Sequence, residues 1–277
     1  MKDAFTGGVS ISRALSILEL LADEDHGLSL SAVARALELN KQIATRLITV
    51  LEATNYIYKD TTTGKYQLSH KLSNLGLRRL MQSGILDPAS SVIRDLANET
   101  GELVRLALVE NDRLTWVLAA VGKQRTLHID PNYSLEIRLH STATGKAWLS
   151  TLPIERAIEL MDRAGIVPLT KFTITDIELL KAELSAARQA GWARSMEETE
   201  LGVGAVAAPI LVKGLDGGER CVGTISVAAP VSRMAPTEFE TTAPLVVAAT
   251  RRLADMWPKM SSTPLALAGG HIRLGRG

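Results

Sequence analysis

The hydrophobic and polar positions of residues 28–68 follow two different periods, one after the other. In the first half, apolar residues recur at helical spacing with one interruption at residues 38–40, and Ser29 and Asn40 are suitable N-caps for two short helices. The second half contains two short strand-like runs separated by turn residues, Thr61–Gly64, as in a β-hairpin. Two short helices followed by a hairpin indicate a winged helix-turn-helix.

The second of these helices is predicted to be amphipathic. Its apolar residues recur at i, i+3, i+4 and i+7, on one buried stripe: Ala44, Leu47, Ile48 and Leu51. The opposite face carries polar side chains of the kind that donate to base edges and phosphates in a major groove. We therefore predict that DNA is contacted by Lys41, Gln42, Thr45, Arg46 and Thr49 of this helix and by Lys59 and Lys65 of the wing.

The alternative is a solvated face on a small helical subdomain, because helix-turn-helix geometry also occurs in proteins that do not bind DNA. Local charge favours DNA binding, since residues 41–65 carry four basic and two acidic side chains. Over the whole chain, 31 Lys and Arg stand against 30 Asp and Glu, and this net charge of +1 excludes a generally basic protein that coats nucleic acid. DNA binding therefore requires a localised face.

Further helices are predicted on either side of this motif, whereas residues 1–9 show no periodicity. A first helix that packs against the helix-turn-helix is predicted from five residues at helical spacing: Ile11, Ala14, Leu15, Leu18 and Leu21. Residues 70–81 form a linker helix, and its Leu72–Leu80 stripe is either a seam between subunits or packing against its own domain. A glycine and an Asp-Pro pair place the domain boundary near Ser83.

From Pro88 onward, strand-like runs come in pairs with helices before, between and after them, which indicates an α+β fold with an antiparallel sheet. Helices are predicted at residues 89–100, 143–151, 154–164 and 237–256, with a further helix that ends at Ala190 and is capped by Thr175 or Asp176. Strands are predicted at residues 102–109, 114–121, 192–196, 205–212 and 221–228. The predicted domains are residues 1–69, a linker helix at 70–86, a second domain at 87–258 and a disordered tail at 259–277.

Composition limits the cellular compartments in which this protein is expected. The single cysteine, Cys221, excludes an internal disulfide and a cysteine zinc finger, and it fits a reducing cytoplasm. No apolar run approaches the ~20 residues that a membrane span needs, and the N-terminal segment lacks the apolar core of a signal peptide. We therefore expect a cytoplasmic protein with no membrane partner.

Two nucleotide or hydrolase motifs can be tested on the segment around Gly145-Lys146. A phosphate-binding P-loop needs a glycine five residues before this pair and Ser or Thr after it, but those positions hold His140 and Ala147. Ser141 has a histidine beside it, yet no Gly-x-Ser-x-Gly elbow surrounds it. Neither motif is present, and we predict no catalytic residue and no cofactor.

Two sets of polar side chains could in principle support metal binding or acid–base chemistry. Three side chains could gather as metal ligands: His128, Asp130 and His140. Their irregular spacing favours separate structural roles. Three glutamates form an acidic cluster that could act as a base or a cation site: Glu197, Glu198 and Glu200. A solvated loop, or contacts to Lys146, is the simpler interpretation of this cluster.

Three stretches together resemble the isocitrate-lyase-regulator (IclR) family of bacterial transcription regulators. Residues 40–57, with the wing at 64–68, resemble the family's recognition helix and wing, and HSTATGKAWLSTLP at 140–153 resembles its internal signature. Residues 191–210 and 221–233 resemble its C-terminal pattern, so nearly the whole chain is covered in the right order. The resemblance implies a GAF-like effector domain that senses a small molecule, and assembly as a homodimer or a dimer of dimers.

The chain departs from the family pattern at two positions near the recognition helix. Asn55 stands where glycine is usual, and asparagine tolerates the left-handed conformation that a helix C-terminus needs. Ile43 stands where threonine is usual, and it either meets a thymine methyl group or extends the core.

The resemblance also implies an effector pocket between the signature segment and the two late strands. Its lining maps onto Ala143 and Thr144 as backbone donors and onto Ser195, Ala205, Ser226 and Ala228. Members that sense small keto-acids have an acidic residue, a cysteine and a second serine in place of Ser195, Ala205 and Ala228. Since a buried polar group left unpaired costs ~1–3 kcal/mol, a very small, fully polar ligand fits poorly here.

We therefore expect a ligand-responsive DNA-binding regulator, a repressor or an activator, that controls a catabolic operon in response to a larger, partly apolar organic acid or an aromatic metabolite. Three aromatic residues could supply an apolar wall to its pocket, or could be ordinary core: Trp116, Tyr133 and Trp148. The alternative function is a small-molecule-binding enzyme that carries an accessory helix-turn-helix.

Overall fold

The computed structural model describes residues 8–82, 84–122, 129, 137–213 and 217–257. The chain divides into two compact units, residues 1–83 and residues 84–277. The predicted tail at 259–277 and most of the irregular segment at 127–139 lie outside the described residues.

The first unit is a winged helix-turn-helix with a helix before it and a helix after it. Its elements are α1 (Val9–Ala22), α2 (Leu30–Ala36), α3 (Lys41–Ala53), β1 (Ile57–Lys59), β2 (Tyr66–Leu68) and α4 (His70–Gln82). Strands β1 and β2 pair antiparallel, with Ile57 opposite Leu68. The predicted stripe of α3 is buried as expected: Ala44, Leu47, Ile48 and Leu51. Asn55 takes the predicted left-handed conformation, with φ 60°.

The predicted stripe of α1 is wrong in part. Ile11 and Leu15 are 66% and 54% exposed, and the buried positions are Ile17, Leu18 and Leu21. The apolar residues of this helix allow two overlapping stripes, and the core selects the one that contains Ile17.

The first turn of the linker helix α4 contributes to the core of the first unit. Leu72 packs against that core, whereas Leu75 and Leu77 are 38% and 50% exposed within the chain. The interpretation as packing against its own domain therefore holds for Leu72, while Leu75 and Leu77 are left exposed within the chain.

The second unit has an antiparallel sheet with helices on both faces. Its helices are α5 (Leu86–Thr100), α6 (Ala143–Leu149), α7 (Ile154–Ala164), α8 (Ile177–Ala190) and α9 (Pro236–Met256). Its strands are β3 (Leu103–Glu110), β4 (Arg113–Val121), β5 (Ala193–Met196), β6 (Val203–Lys213) and β7 (Glu219–Pro230), in the order β4-β3-β7-β6-β5. All neighbouring pairs are antiparallel, which confirms the predicted α+β class.

Some element boundaries differ from the prediction. Helix α5 begins at Leu86 and not at residue 89, because Pro88 lies in the first turn, where its missing N–H is not needed. Helix α6 ends at Leu149, two residues early. Asp176, not Thr175, caps α8, and its carboxylate accepts from the Leu179 amide at 2.9 Å.

The two faces of the sheet are packed differently. Side chains from alternate positions of β3, β6 and β7, among them Leu106, Ile210 and Val227, form a large aliphatic core with α5 and α9. On the opposite face, α6 packs against β5, β6 and β7, and the apolar cluster there consists of alanines: Ala143 and Ala147 from α6, Ala193, Ala205 and Ala207 from the strands, and Ala187 from α8. Small side chains let this helix lie close to the sheet.

Candidate functional site

The polar face of α3 is presented by an N-cap. The Asn40 side-chain oxygen accepts from the Ile43 amide at 2.8 Å, which starts the helix at Lys41. All five predicted DNA-contacting residues of this helix are exposed: Lys41, Gln42, Thr45, Arg46 and Thr49. The Thr45 hydroxyl donates to the Lys41 carbonyl at 2.7 Å, so toward a partner this hydroxyl can only accept. Ile43 is half-buried and packs on the core, as the core interpretation predicts.

The tip of the wing is held in place by one carboxylate. Asp60 Oδ1 accepts from the amides of Thr62 and Thr63 at 2.8 and 2.7 Å. These hydrogen bonds hold the pKa of the exposed Asp60 carboxyl below its usual value. Of the two predicted wing contacts, Lys59 is exposed and Lys65 is half-buried. The wing therefore presents two ammonium groups from a fixed turn.

A lysine that the sequence interpretation missed joins α4 to the end of α3. Lys71 Nζ donates to the Thr54 carbonyl at 2.7 Å and lies 4.2 Å from the ring centroid of Tyr56. A cation at the C-terminal carbonyls of a helix is favoured by the helix dipole. The signal available in the sequence was the position of Lys71 directly after the wing, because the helix that begins there returns to the C-terminal end of α3.

The strand register places four of the six predicted effector residues on the α6 side of the sheet. Ser195 is opposite Ala205, and Ala205 is opposite Ala228. Ser226 lies two residues before Ala228 on β7 and so points to the same face. The other two, Ala143 and Thr144, are in the first turn of α6. Five of the six are buried and Ala205 is half-buried.

The hydroxyl of Ser195 already has a partner within the chain. It donates to the Ser141 carbonyl at 2.7 Å, and the Thr199 hydroxyl donates to the same oxygen at 3.1 Å. These hydrogen bonds fasten the segment before α6 to β5 and to the loop after it. Ser195 can therefore offer a ligand an acceptor but not its proton.

The acidic cluster contains one buried ion pair. Lys146 on α6 is 1% exposed, and its Nζ lies 2.6 Å from Glu198 Oε1 and 3.4 Å from Glu183 Oε2. Burial raises the pKa of the Glu198 carboxyl, and the Lys146 ammonium opposes that change. The predicted contact to Lys146 is thus confirmed for Glu198, while Glu200 is exposed. Glu198 is thus a structural partner of α6, whereas Glu197 accepts a hydrogen bond from the Gly202 amide at 2.8 Å.

His140 is a buried structural residue. Its Nε2 lies 3.0 Å from the Val167 carbonyl, and burial lowers the pKa of its imidazole, so the ring is held neutral with Nε2–H as the donor. Among the described residues, no group of three or more His, Cys, Asp or Glu side chains could hold a metal ion. His128 and Asp130, the other two candidate ligands, lie outside the described residues, as does Tyr133.

Two clefts open at the hairpin end of the second unit, and neither is lined by the predicted effector residues. One, of about 530 Å³, lies between β4 and α7, beside Leu114 and Leu160. The other, of about 470 Å³, is lined in part by Arg188 and Cys221. The Cys221 thiol donates to the Gly223 carbonyl at 3.1 Å, and burial raises its pKa to about 11.

The aromatic residues that could form an apolar wall of the pocket or ordinary core lie in different environments. Trp148 is 2% exposed and packs among Leu139, Leu149 and their neighbours, so it is ordinary core. Trp116 is half-buried on the α6 side of the sheet, and the Arg105 guanidinium carbon lies 4.8 Å from its ring centroid. Sequence interpretation missed Arg105, although it is the one charged residue in the apolar run of residues 103–109.

In the part of the chain that the structure describes, no helix is both long and apolar enough to span a membrane.

Residues 10–61 match the IclR helix-turn-helix domain, and residues 78–255 match the family described as bacterial transcriptional regulator IclR C-terminal. The probable transcriptional regulator SauR of Cupriavidus necator is 31% identical over 222 residues, which are 80% of this chain and 86% of SauR.

Solved structures agree. A transcriptional regulator of the IclR type from Silicibacter sp. is 27% identical, with a TM-score of 0.70 over 89% of this chain and 95% of that chain. An IclR homolog from Microbacterium hydrocarbonoxydans, complexed with 4-hydroxybenzoate, shares the fold at 18% identity, with a TM-score of 0.73 over 89% of this chain and 98% of that chain.

Of the two functions predicted from the sequence, the regulator is therefore supported and the enzyme with an accessory helix-turn-helix is not. The chain belongs to the IclR family of bacterial transcription regulators, which join a DNA-binding helix-turn-helix to an effector-binding domain.

Proposed function

We propose that this regulator reads its operator with the exposed face of α3 and grips the phosphates with the wing, in the cytoplasm where the DNA lies. The observation that carries the proposal is the complete exposure of the polar face on a helix whose other face is core. Arg46 is the side chain best suited to a base edge, because its planar fork can donate two parallel hydrogen bonds to guanine. Lys59 and Lys65 meet phosphates without reading sequence.

The test is binding of the protein to DNA from its own upstream region, measured by fluorescence anisotropy. Arg46→Ala should cost ~1–3 kcal/mol and relax the preference at one base pair. Lys65→Ala should weaken binding to all sequences and reduce the salt slope by about one. Arg94→Ala, an exposed arginine of the other unit, is the matched control. Unchanged operator affinity in Arg46→Ala would remove the recognition-helix assignment.

The proposed assembly is a homodimer, or a dimer of dimers, on paired half-sites. One winged helix-turn-helix buries little surface on DNA, and a second copy raises both affinity and specificity. The exposed apolar residues of α4, Leu75, Leu77 and Met81, are the proposed seam. Light scattering of the free protein should give a mass at least twice that of one chain. Leu77→Glu should lower this measured mass. A monomer at concentrations that saturate the operator would contradict this assembly.

The proposed effector is a larger, partly apolar organic acid, such as an aromatic acid. In response to it, the regulator controls a catabolic operon. Ala205 and Ala228 make the predicted pocket less polar, and Ser226 supplies a hydroxyl on the same face. The Microbacterium homolog holds 4-hydroxybenzoate on the same fold, which supports an aromatic acid.

Calorimetry should show tighter binding of aromatic acids than of glyoxylate or pyruvate. The Ser226→Val variant should bind the aromatic acids more weakly than the parent. Effector should change operator affinity by a coupling energy of ~1–3 kcal/mol. Tighter binding of the small keto-acids would overturn this effector class.

A further inference from the structure

The cleft of about 470 Å³ at the hairpin end of the second unit has the size of a small-molecule site. Such sites have volumes of about 300–1,000 Å³ and largely apolar walls with a few polar groups. Four apolar side chains from β3, α6 and β6 are part of its lining: Val109, Trp148, Pro209 and Leu211. Along β7, Cys221 in this cleft is roughly 16 Å from the predicted effector residue Ser226, at about 3.3 Å per residue. The cleft is therefore separate from the predicted effector pocket.

One of the lining residues is an arginine that is held in a fixed orientation. Arg188, near the end of α8, donates from Nε to the Ser150 carbonyl at 2.7 Å and from Nη2 to the Leu152 carbonyl. Both bonds use the Nε/Nη2 edge of the guanidinium, so the Nη1/Nη2 edge keeps two parallel donors. An edge of this kind matches two oxygens of a carboxylate or a phosphate.

Strand β7 supplies a second guanidinium. Arg220 lines the cleft and is exposed, and its side chain has no partner in the part of the chain that the structure describes. The two acidic residues of the lining each have a basic residue beside them: Asp112 is paired with Arg156, and Glu219 is opposite Lys213 in the strand register. With the arginine of α8, four basic and two acidic side chains stand at the cleft, an excess of two positive charges.

The head group that fits two guanidiniums from separate elements is a phosphate. A carboxylate has two oxygens in one plane, and a single guanidinium edge occupies both. A phosphate monoester presents three terminal oxygens in different directions and carries a charge of about −1.5 to −2 at neutral pH, which matches the excess at the cleft. The apolar part of the lining suits a hydrocarbon or aromatic group on the ester oxygen.

We propose that this cleft binds a phosphate monoester with a partly apolar body, and that Arg188 and Arg220 hold the phosphate. The site is additional to the proposed effector pocket and does not depend on it. Because Arg188 also holds the chain directly after α6, the ligand lies at the C-terminal end of the helix whose N-terminal end carries Ala143 and Thr144.

The experiment measures ligand binding by calorimetry on the full-length protein. The probes are phenyl phosphate, inorganic phosphate, which is the head group alone, and phenol, which is the body alone. Phenyl phosphate should bind about tenfold more tightly than inorganic phosphate, as expected when ~60 Å² of apolar surface is buried. Phenol should bind more weakly than either, because it lacks the charge.

Four variants locate the site. Arg188→Met should weaken the binding of phenyl phosphate by about 10- to 150-fold, as expected for hydrogen bonds to a charged group. Arg220→Met should weaken it by about 2- to 5-fold, as expected for an exposed pair. Arg94→Met, at an exposed arginine of α5, and Ser226→Val, in the predicted effector pocket, are the matched controls and should leave it unchanged.

Losses in both cleft variants, with both controls unchanged, support the proposal. Failure of phenyl phosphate to bind the parent, or unchanged binding in Arg188→Met, overturns it. Binding that is lost in Ser226→Val and kept in Arg188→Met would place the phosphate in the effector pocket, which overturns this site and leaves the effector proposal standing. Benzoate that competes for the site more tightly than phenyl phosphate binds would overturn the choice of head group. Should Arg188→Met not fold, Arg220→Glu, which reverses an exposed charge, must abolish detectable binding.

Discussion

Helices α3 and α6 begin alike and lie in opposite environments. Each is started by a side-chain cap, Asn40 at 2.8 Å from an amide nitrogen and Thr142 at 3.0 Å. In α3 one stripe is buried and the polar face is exposed, whereas all seven residues of α6 are buried, Lys146 among them. A helix with one free face can meet a partner, while a helix enclosed on every side can only transmit its position to what surrounds it.

The largest expected effect comes from breaking the ion pair that encloses α6. Lys146→Ala leaves the Glu198 carboxylate buried without its partner and should cost about 3–5 kcal/mol in the free energy of unfolding. Urea unfolding followed by tryptophan fluorescence measures it, because all four tryptophans lie in the second unit.

Two variants sharpen that measurement. Lys146→Met combined with Glu198→Leu should recover most of the loss, since apolar residues can replace a buried pair. Lys181→Met removes an exposed pair with Glu178 and should cost less than about 1 kcal/mol. Equal losses in Lys181→Met and Lys146→Ala would show that burial does not distinguish these pairs.

The next effect tests how closely α6 lies against its surroundings. A methyl group on Gly145 would be 2.5 Å from the Leu139 carbonyl oxygen, so Gly145→Ala should destabilise the second unit by about 1–3 kcal/mol. Gly76→Ala in α4 is the matched control, because nothing lies within 4 Å and alanine favours a helix by up to about 1 kcal/mol. Thermal unfolding by circular dichroism should show a loss for the first variant and a gain for the second.

Removing the two caps compares the helices directly. Asn40→Ala and Thr142→Ala should each cost about 1 kcal/mol. The loss at Thr142 should be the larger, because its hydroxyl also donates to the Arg138 carbonyl at 2.7 Å. Calorimetric unfolding gives both values, and Asn40→Asp, which keeps an acceptor, should restore the cap of α3. A larger loss at Asn40 would contradict this ranking by the second hydrogen bond of Thr142.

The smallest expected effect is a pH slope from His140, just before α6. Burial lowers the pKa of its imidazole in the folded chain, so the unfolded chain binds the proton more readily. Stability from this group is present above the ordinary histidine pKa of about 6.5 and is lost as the pH falls below it. His140→Gln should flatten the tryptophan-detected slope between pH 7 and pH 5 relative to the parent. An unchanged slope in His140→Gln would contradict this prediction.

Local signals made much of α3 predictable. Its stripe, its cap at Asn40 and the left-handed Asn55 follow from period and capping chemistry within a few residues. The same holds for Gly101 and Gly191, which end α5 and α8 in the left-handed conformation. Such features need no knowledge of the rest of the chain.

The candidate effector site depends on distant pairings. Ser226 lies beside Arg105 only because β7 pairs with β3 in one register, and shifting that register by one residue would turn the side chains to the other face. The enclosure of Lys146 depends likewise on Glu198, which is far along the chain. Periodicity within one segment contains neither fact. Family resemblance suggested Ser226, the acidic cluster at residues 197–200 suggested a contact to Lys146, and Arg105 was missed.

The hydrogen-bonded thiol of Cys221 makes this regulator poorly reactive toward thiol reagents. A thiol with a pKa of about 11 is ionised in roughly one molecule in ten thousand at neutral pH. Since the thiolate is the form that alkylating agents and peroxides attack, both should react slowly with this, the chain's only cysteine. A cysteine introduced on the wing would then be labelled selectively in the otherwise unmodified protein, which allows a fluorophore to follow the wing as it meets DNA.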